Sequence, residues 1–306
     1  MIYMKKILVC NPIADEGIKM MEDAGFQVDQ KFDLSPEELT EVISPYHGLI
    51  VRGSTKVREP SIDAAENLEA IGRPGIGMDN IDVAYAREKG IAVYNTPLAT
   101  TVSVAELVMA HMFASFRNVV AGTNSLREGK WIKKELKSNE VYGKTMGIIG
   151  YGNIGHEVAI RAEALGMKVL AYDVVEVKDP SPARMVDMDT LLSESDVITL
   201  HVPHIDATHH MLSTPQFAKM KENAVLIDCS RGGVVDEDAL YDALKNGVIR
   251  FACRDVFTQE PPGDNKLLTL DNFHATPHIG GQTWEGQKRA GTQAAEQVIE
   301  ELKKRG

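Results

Sequence analysis

The stretch MGIIGYGNIG (146–155), followed by a helical run and then by KVLAYD (168–173), is the most informative feature of this chain. It predicts an apolar strand, a glycine turn, an amphipathic helix and a second apolar strand that ends in an acid. In such a unit Gly150 allows the tight turn, Gly152 lets the backbone approach a pyrophosphate and Gly155 permits close packing of helix on strand. Free N–H groups at the start of the helix favour negative charge, so the turn predicts a dinucleotide site.

An acid follows this turn at the distance that dinucleotide-binding folds use. Asp173 lies 18 residues after Gly155, where its carboxylate can hydrogen-bond a ribose diol and repel a 2′-phosphate. The acid therefore predicts NAD rather than NADP as the cofactor. The alternative is a glycine-rich turn that binds no cofactor. An apolar helical stripe between the two strands argues against this alternative; it is formed by Ile154, Val158, Ala162 and Leu165.

Length and composition limit the class of protein. The chain has 306 residues, 43% of them hydrophobic, which suggests a globular protein of about two domains. The formal charge of −11 argues against a nucleic-acid partner, because binding to phosphates needs an excess of positive charge. The sequence has no run of the roughly 20 apolar residues that a membrane span needs, and MIYMKKILVC (1–10) is too short and polar for a signal peptide. These features predict a cytoplasmic protein without a membrane partner.

Two series of short apolar segments divide the chain. Four segments precede the glycine turn, with helical patterns between them: KILVC (6–10), GLIVR (48–52), LEAIGR (68–73) and IAVYN (91–95). Four more follow it: DVITLHV (196–202), AVLIDCS (224–230), RFACRDVF (250–257) and FHATPH (273–278). This alternation predicts an α/β protein with two doubly wound parallel sheets of the Rossmann type.

The end of the chain decides how the domains divide. Residues 284–304 have the pattern of one long helix with no strand after it, and we expect this helix to pack on the first sheet. The first domain is then discontinuous. The predicted division is a substrate-binding, flavodoxin-like domain of residues 1–97 and 284–306 and a dinucleotide-binding Rossmann domain of residues 98–283. A capping box at Ser103 predicts the start of a long helix near the boundary.

Three polar side chains follow strands of the second series. Arg231, Glu260 and His278 come after successive predicted strands, and ligands of open α/β sheets bind beyond the carboxyl ends of the strands. An arginine can hold a carboxylate bidentately. A histidine can pass a proton near neutral pH, and a carboxylate behind it fixes the tautomer and favours the imidazolium. Together they suit hydride transfer at a 2-hydroxy acid; taken singly, an ordinary ion pair and a hydrogen-bonded loop histidine are the alternatives.

Several motifs resemble those of a known family. The blocks IDCSRGGVVDEDAL (227–240), DVFTQEPP (255–262) and TPHIGGQT (276–283) look like the signature blocks of the D-isomer-specific 2-hydroxyacid dehydrogenases. GRPGIGMDNID (72–82) and GKTMGIIGYGNIG (143–155) are similar to those of the family members that act on 3-phospho-D-glycerate. The resemblance extends over nearly the whole chain.

The resemblance implies a role for each of the three polar side chains. His278 would take the hydroxyl proton during oxidation and return it during reduction, and Glu260 would orient His278. Arg231 would bind the carboxylate and the carbonyl of a 2-oxoacid. The resemblance also implies an NAD site formed by Gly150, Gly152, Asn153, Ile154, Gly155, Asp173, Val202, Cys229, Ser230, Asp255 and Gly280.

The same resemblance implies substrate-binding residues in the first domain. The backbone N–H groups of Ile76 and Gly77 would complete the carboxylate site. A distal phosphate would be bound by Arg52 and Ser54, with Thr55 and Arg73 as further candidates at the same place.

The implied activity is the NAD-dependent oxidation of 3-phospho-D-glycerate to 3-phosphohydroxypyruvate, which leads to serine biosynthesis. Pro74 and Ile76 depart from the residues usual in the phosphoglycerate enzymes, so a glyoxylate or hydroxypyruvate reductase, or another D-2-hydroxyacid dehydrogenase, is the alternative. An NAD-sensing corepressor with the same fold is an alternative of another class. The helix from Ser103 and the segment near Trp131 imply a homodimer. Longer members continue into a serine-sensing domain, and a sequence that ends at Gly306 predicts a short form without it.

Two features of the sequence fit none of these roles. Arg254 stands at a position that the family usually fills with an apolar residue, and His204, His209 and His210 make one loop rich in histidine. No tetrahedral ligand set of known spacing accompanies these histidines, so no metal site is predicted. The three cysteines are an odd number at wide spacing, which predicts neither a disulfide framework nor a structural zinc site.

Overall fold

The computed structural model of the chain describes residues 4–306. They form two compact units, one of residues 4–101 and 281–306 and the other of residues 102–280. The two ends of the chain thus build the first unit together, and the prediction of a discontinuous first domain is confirmed. The two units divide after residues 101 and 280, whereas the predicted domains divide after residues 97 and 283.

The first unit is a parallel sheet with helices on both faces. Its strands are β1 (Lys6–Val9), β2 (Gln27–Gln30), β3 (Gly48–Ile50), β4 (Ala70–Arg73) and β5 (Ala92–Asn95). Its helices are α1 (Asp15–Asp23), α2 (Pro36–Val42), α3 (Glu59–Asp63), α4 (Val83–Glu88) and the last helix of the chain, α11 (Trp284–Lys304). The strand order is β2-β1-β3-β4-β5, with all pairs parallel, so the order reverses between β1 and β3.

Helix α11 returns to the first sheet through an apolar stripe. Ala294, Val298 and Leu302 recur at helical spacing and are buried in one cluster with Ile7 of β1. The packing is close, because a Cβ atom built on Gly72 of β4 would lie 2.9 Å from Val298 Cγ2. The prediction that residues 284–304 form one helix on the first sheet is confirmed.

The second unit is a larger parallel sheet. Its strands are β6 (Thr145–Ile149), β7 (Lys168–Tyr172), β8 (Arg184–Met185), β9 (Val197–Leu200), β10 (Val225–Asp228), β11 (Phe251–Arg254) and β12 (Phe273–Ala275). Its helices are α5 (Thr101–Phe116), α6 (Val119–Arg127), α7 (Asn153–Ala164), α8 (Met188–Glu194), α9 (Thr214–Phe217) and α10 (Glu237–Lys245), with a 3-10 helix at Lys266–Thr269. The order β12-β11-β10-β9-β6-β7-β8 and the parallel pairing confirm the predicted fold class.

Local differences from the sequence analysis have simple physical reasons. Strands β2 and β8 were not predicted, since both lie at sheet edges and carry polar residues without a buried alternating pattern. The predicted helix start at Ser103 is wrong. Helix α5 begins at Thr101, whose hydroxyl donates to the carbonyl of Pro97 (3.3 Å), so Ser103 is an internal, buried residue of the helix.

The most apolar helix of the chain is a core helix. Val108 and Met112 of α5 are wholly buried in the core of the second unit. Within residues 4–306 no single helix is long and apolar enough to cross a membrane; α5 and α6 reach that length and apolarity only together, across a bend of 62°.

Candidate active site

The glycine turn lies where the strand order of the second sheet reverses. Strand β6 pairs with β7 on one side and with β9 on the other. Doubly wound sheets bind ligands at such a point, outside the carboxyl ends of the strands. The chain leaves β6 there, passes through Gly150 with φ = +90°, and enters α7 at Asn153 with Gly152 as the N-cap.

The three glycines of this turn meet the requirements of a dinucleotide site. A Cβ atom on Gly150 would lie 2.6 Å from the carbonyl oxygen of His201, and one on Gly155 would overlap the carbonyl oxygen of Gly150. Both positions therefore need glycine for the turn itself. A Cβ atom on Gly152 would meet no atom within 4 Å. The space beside Gly152 at the start of α7 thus fits a pyrophosphate, and Asn153 and Ile154 stand in the first turn of that helix.

Asp173 is held beside this turn. It directly follows β7, and its carboxylate accepts hydrogen bonds from the N–H groups of Tyr151 (Oδ2, 2.7 Å) and Val175 (Oδ1, 2.9 Å). Each carboxylate oxygen has a second lone pair that can accept from a ribose hydroxyl. The geometry therefore fits the predicted role of Asp173 as the acceptor for the adenosine ribose.

The three candidate catalytic residues follow three neighbouring strands. Arg231 comes after β10, Glu260 after β11 and His278 after β12. The structure joins two of them directly, because His278 Nδ1 lies 2.7 Å from Glu260 Oε2. The other oxygen of Glu260 accepts from the N–H of Phe257 (3.1 Å). Arg231 donates from Nη1 to the carbonyl of Ser230 (2.7 Å).

Asp255 fixes the loop that carries His278. This buried carboxylate accepts from the Thr276 hydroxyl (2.5 Å), from the N–H of Ile279 (2.8 Å) and from the N–H of Gly280 (2.7 Å). His278 has φ = +52°, in the left-handed region that costs free energy for any residue other than glycine. The bonds on both sides of His278 hold it there. That Asp255 also accepts from the nicotinamide carboxamide stays a prediction.

The other residues predicted for the nicotinamide side lie at the same edge. Val202 follows β9, and Cys229 and Ser230 follow β10. Burial, assisted by the negative charges of Asp255 and Asp228, raises the pKa of the Cys229 thiol well above its usual value of 9.0. The thiol is therefore protonated, which agrees with a role for the backbone of Cys229 rather than for its sulfur.

In the first unit, the candidate phosphate residues surround the reversal between β1 and β3. Asn11 follows β1; its side chain accepts from the N–H of Arg52 (2.6 Å) and donates to the Ser54 hydroxyl (2.8 Å). Asn80 donates to the carbonyls of Arg52 (3.0 Å) and Thr55 (2.7 Å). Both asparagines are buried and fix the loop after β3. Sequence patterns alone do not predict a role for these two asparagines, although the place of Asn11 directly after the strand KILVC is a signal for it.

Arg73 ends β4 and lies over the adjacent glycine loop. A Cβ atom on Gly75, which has φ = +138°, would overlap Nη1 of Arg73, and one on Gly53 would lie 3.8 Å from Nη2. The guanidinium of Arg73 thus lies against both glycines. The loop continues into Ile76, whose carbonyl accepts from the Asn95 side chain (2.7 Å). The backbone at Ile76 and its neighbour Gly77 is therefore tied to β5.

The histidine-rich loop forms its own small cluster. His204 Nε2 lies 3.0 Å from His209 Nδ1, and the rings of His209 and His210 stack with centroids 4.0 Å apart. Among residues 4–306, no three histidine, cysteine or acidic side chains form a group that could hold a metal ion.

Comparisons with known proteins agree with this geometry. Residues 109–280 match the family model "D-isomer specific 2-hydroxyacid dehydrogenase, NAD binding domain". The chain is 48% identical to D-3-phosphoglycerate dehydrogenase of Methanocaldococcus jannaschii over 98% of its own length, but it spans only 58% of that protein. It is 49% identical to hydroxypyruvate reductase of Thermotoga maritima, over 97% of this chain and 98% of that one.

A solved structure has the same two-domain fold. The TT0316 protein of Thermus thermophilus superimposes with a TM-score of 0.92 at 32% identity, covering 98% of this chain and 97% of that one. The predicted two-domain fold and the predicted NAD-binding domain, with NAD as the cofactor, are therefore confirmed.

Two alanine variants test the predicted difference between Gly155, which the turn itself needs, and Gly152, which is predicted to adjoin the pyrophosphate. Gly155→Ala should lower the stability of the protein without cofactor by about 1–3 kcal/mol, because the new Cβ overlaps a backbone oxygen. Gly152→Ala should leave that stability within about 0.5 kcal/mol, yet weaken NAD binding roughly 10-fold or more by filling the space for the pyrophosphate. Thermal unfolding and calorimetric NAD titration measure both effects. Wild-type NAD affinity in Gly152→Ala would contradict the assignment.

Proposed function

Because the chain belongs to the D-isomer-specific 2-hydroxyacid dehydrogenase family, we propose that Arg231, Glu260 and His278 catalyse the NAD-dependent oxidation of a D-2-hydroxy acid. The observation that carries this proposal is the contact of 2.7 Å between His278 Nδ1 and Glu260 Oε2, at the edge of the sheet where Arg231 also lies. A histidine and a carboxylate in this arrangement form an acid–base pair.

Each of the three side chains has a separate role in the proposed reaction. When bound, NAD supplies the acceptor for the hydride that leaves carbon 2 of the hydroxy acid. Glu260 fixes Nδ1 of His278, so Nε2 takes the hydroxyl proton, and the carboxylate stabilises the imidazolium that forms. Arg231 binds the substrate carboxylate with its planar fork of donors. In the reverse direction Nε2 of His278 returns the proton.

The cofactor and substrate residues complete the proposal. We assign Asp173 to bind the adenosine ribose and the turn at residues 150–155 to bind the pyrophosphate. The nicotinamide side is assigned to Val202, Cys229, Ser230, Asp255 and Gly280. The substrate residues of the first unit are Arg52, Ser54, Ile76 and Gly77.

For the substrate we propose 3-phospho-D-glycerate, with 3-phosphohydroxypyruvate as the product and serine biosynthesis as the context. Arg52 and Arg73 support this choice, because both stand at the carboxyl ends of strands in the first unit and arginine forks bind phosphate well. The similarity to the Methanocaldococcus jannaschii enzyme, a D-3-phosphoglycerate dehydrogenase, also supports it.

A second candidate is the reduction of hydroxypyruvate or glyoxylate. The Thermotoga maritima relative, a hydroxypyruvate reductase, is as similar to this chain as the phosphoglycerate enzyme is. The chemistry at His278 would be the same. Only the group that occupies the phosphate position would differ.

A homodimer and a cytoplasmic location stay predictions. Large apolar side chains beyond α5 support the homodimer, since Leu126 and Trp131 are 60% and 81% exposed in the single chain. Apolar side chains of this size commonly become buried when two subunits associate. The mass of the particle in solution tests this assignment.

His278→Asn tests the acid–base assignment. Turnover should fall roughly 10²–10⁴-fold, because an amide cannot exchange the hydroxyl proton, while the dissociation constant for NAD should stay near that of the wild type. The matched control is His209→Asn, in the exposed histidine loop, which should keep wild-type turnover. Steady-state rates and NAD titration give both quantities. Retained turnover in His278→Asn would remove this residue from the mechanism.

A substrate panel tests the proposed phosphate preference. With NAD we expect kcat/KM for 3-phospho-D-glycerate to exceed that for D-glycerate roughly 10-fold or more, since each charge-assisted arginine contact to phosphate is strong. Arg52→Gln should lower the value for the phosphorylated acid and leave that for D-glycerate nearly unchanged. Absorbance of the reduced cofactor follows each reaction. Equal or better use of D-glycerate, or efficient glyoxylate reduction with NADH, would favour the second candidate.

A further inference from the structure

Arg254 is a wholly buried cation of the second unit. It is the last residue of β11 and its side chain is 0% exposed. Its register partner on the neighbouring strand is Asp228, the last residue of β10. Burial of a charge costs several kcal/mol unless other charges and hydrogen bonds compensate it. The contacts of Arg254 therefore identify the groups that compensate its positive charge.

The guanidinium joins two carboxylates from different segments. Its Nε donates to Asp228 Oδ2 (3.1 Å), and Nη2 lies 3.1 Å from the same oxygen. Its Nη1 lies 3.0 Å from Glu237 Oε1, on the first residue of α10. The Nη contacts are ion pairs rather than well-aligned hydrogen bonds. The guanidinium also lies over the ring of Phe257, with Cζ of Arg254 5.6 Å from the ring centroid.

Asp228 leads to the candidate carboxylate anchor. Its second oxygen, Oδ1, accepts from both the N–H (3.1 Å) and the hydroxyl (2.6 Å) of Ser230. Ser230 in turn accepts at its carbonyl from Nη1 of Arg231 (2.7 Å). A continuous chain of polar contacts thus runs from Arg254 to the side chain of Arg231.

Glu237 leads to the loop that carries Glu260. Its Oε1 accepts from the N–H of Thr258 (2.7 Å), and its Oε2 accepts from the side chain of Asn265 (2.7 Å). Burial by itself would raise the pKa of Glu237, but the hydrogen bond from Thr258 and the charge of Arg254 lower it on balance. Glu237 is therefore an anion that ties the loop at both ends, on either side of Glu260.

We propose that Arg254 is a positioning residue that fixes the Arg231 loop against the Glu260 loop through Asp228 and Glu237. It sets the position of the carboxylate anchor relative to the Glu260–His278 pair. The inference rests on the proposed catalytic roles of Arg231, Glu260 and His278. Turnover falls when catalytic groups are slightly displaced from their reacting positions. Arg254 therefore affects the rate of the reaction as well as the stability of the fold.

Two variants of different chemistry test this inference. Arg254→Lys keeps the positive charge but replaces a planar fork by a single ammonium, which cannot bridge both carboxylates in the same way. The double variant Arg254→Leu with Asp228→Asn removes one charge of each sign and keeps an amide oxygen that can accept from Ser230. The second variant keeps the test decisive if the first one fails to fold. The wild-type enzyme, with its best substrate from the panel, establishes the reaction first.

The matched control is Lys221→Met. It removes an ion pair of the same unit, in which Lys221 Nζ lies 3.1 Å from Asp196 Oδ1, at the amino ends of the strands and away from the catalytic edge. Thermal unfolding, NAD titration and steady-state kinetics are measured on all variants.

The expected result is a larger loss in kcat/KM for the hydroxy acid than in NAD affinity. In Arg254→Lys, kcat should fall and the KM for the hydroxy acid should rise, so that kcat/KM drops roughly 10- to 100-fold. NAD affinity should fall much less, because Ser230 belongs only to the nicotinamide side, while Asp173 keeps its contacts with the glycine turn. Lys221→Met should keep the wild-type kinetics. Folded variants with wild-type kcat and KM would overturn the inference, and so would equal losses in NAD affinity and turnover. An inactive wild type would instead count against the proposed function.

Discussion

All strand pairs of both sheets are parallel, and this constraint decides where the chemistry of the molecule can lie. Parallel neighbours must be joined by crossovers, so the carboxyl ends of all strands in a sheet open onto one edge. In the second unit that edge collects the glycine turn, Asp173, Arg231, Glu260 and His278, from segments far apart in the chain. Since these residues come from different strands, their geometry depends on the register of the sheet and on the bonds between loops.

Carboxylates that accept hydrogen bonds from the backbone convert this shared edge into a defined site. Asp255 takes three hydrogen bonds from the chain around His278 and so holds a residue whose backbone lies in the left-handed region. Asp173 takes two backbone N–H groups and holds the glycine turn. The bonds to Asp255 hold His278 in a conformation that a residue other than glycine rarely adopts, and the bond from Tyr151 to Asp173 links the glycine turn to the end of β7. The groups that we propose to contact ligands are therefore held in position by the protein itself.

Much of this architecture could be predicted from the sequence where the signal is local. Gly150, Gly155 and Asp173 follow a spacing that backbone geometry imposes, and α11 has an apolar stripe. Long-range partners could not be predicted in the same way. The contact of Asn11 with Arg52 spans 41 residues, and that of Arg254 with Asp228 spans 26, so only the sheet register brings them together. The edge strand β2 was missed for another reason, since QVDQ (27–30) has no buried face to mark it.

We propose that the residues at this edge of the sheet catalyse the transfer of a hydride from carbon 2 of a D-2-hydroxy acid to NAD. The most direct measurement uses a substrate of the panel that carries deuterium at carbon 2, with the reduced cofactor analysed by mass spectrometry. We expect the NADH formed to contain the deuterium, because the hydride passes directly from carbon to nicotinamide without exchange with water. Unlabelled NADH, or turnover of the acid without reduction of NAD, would contradict it.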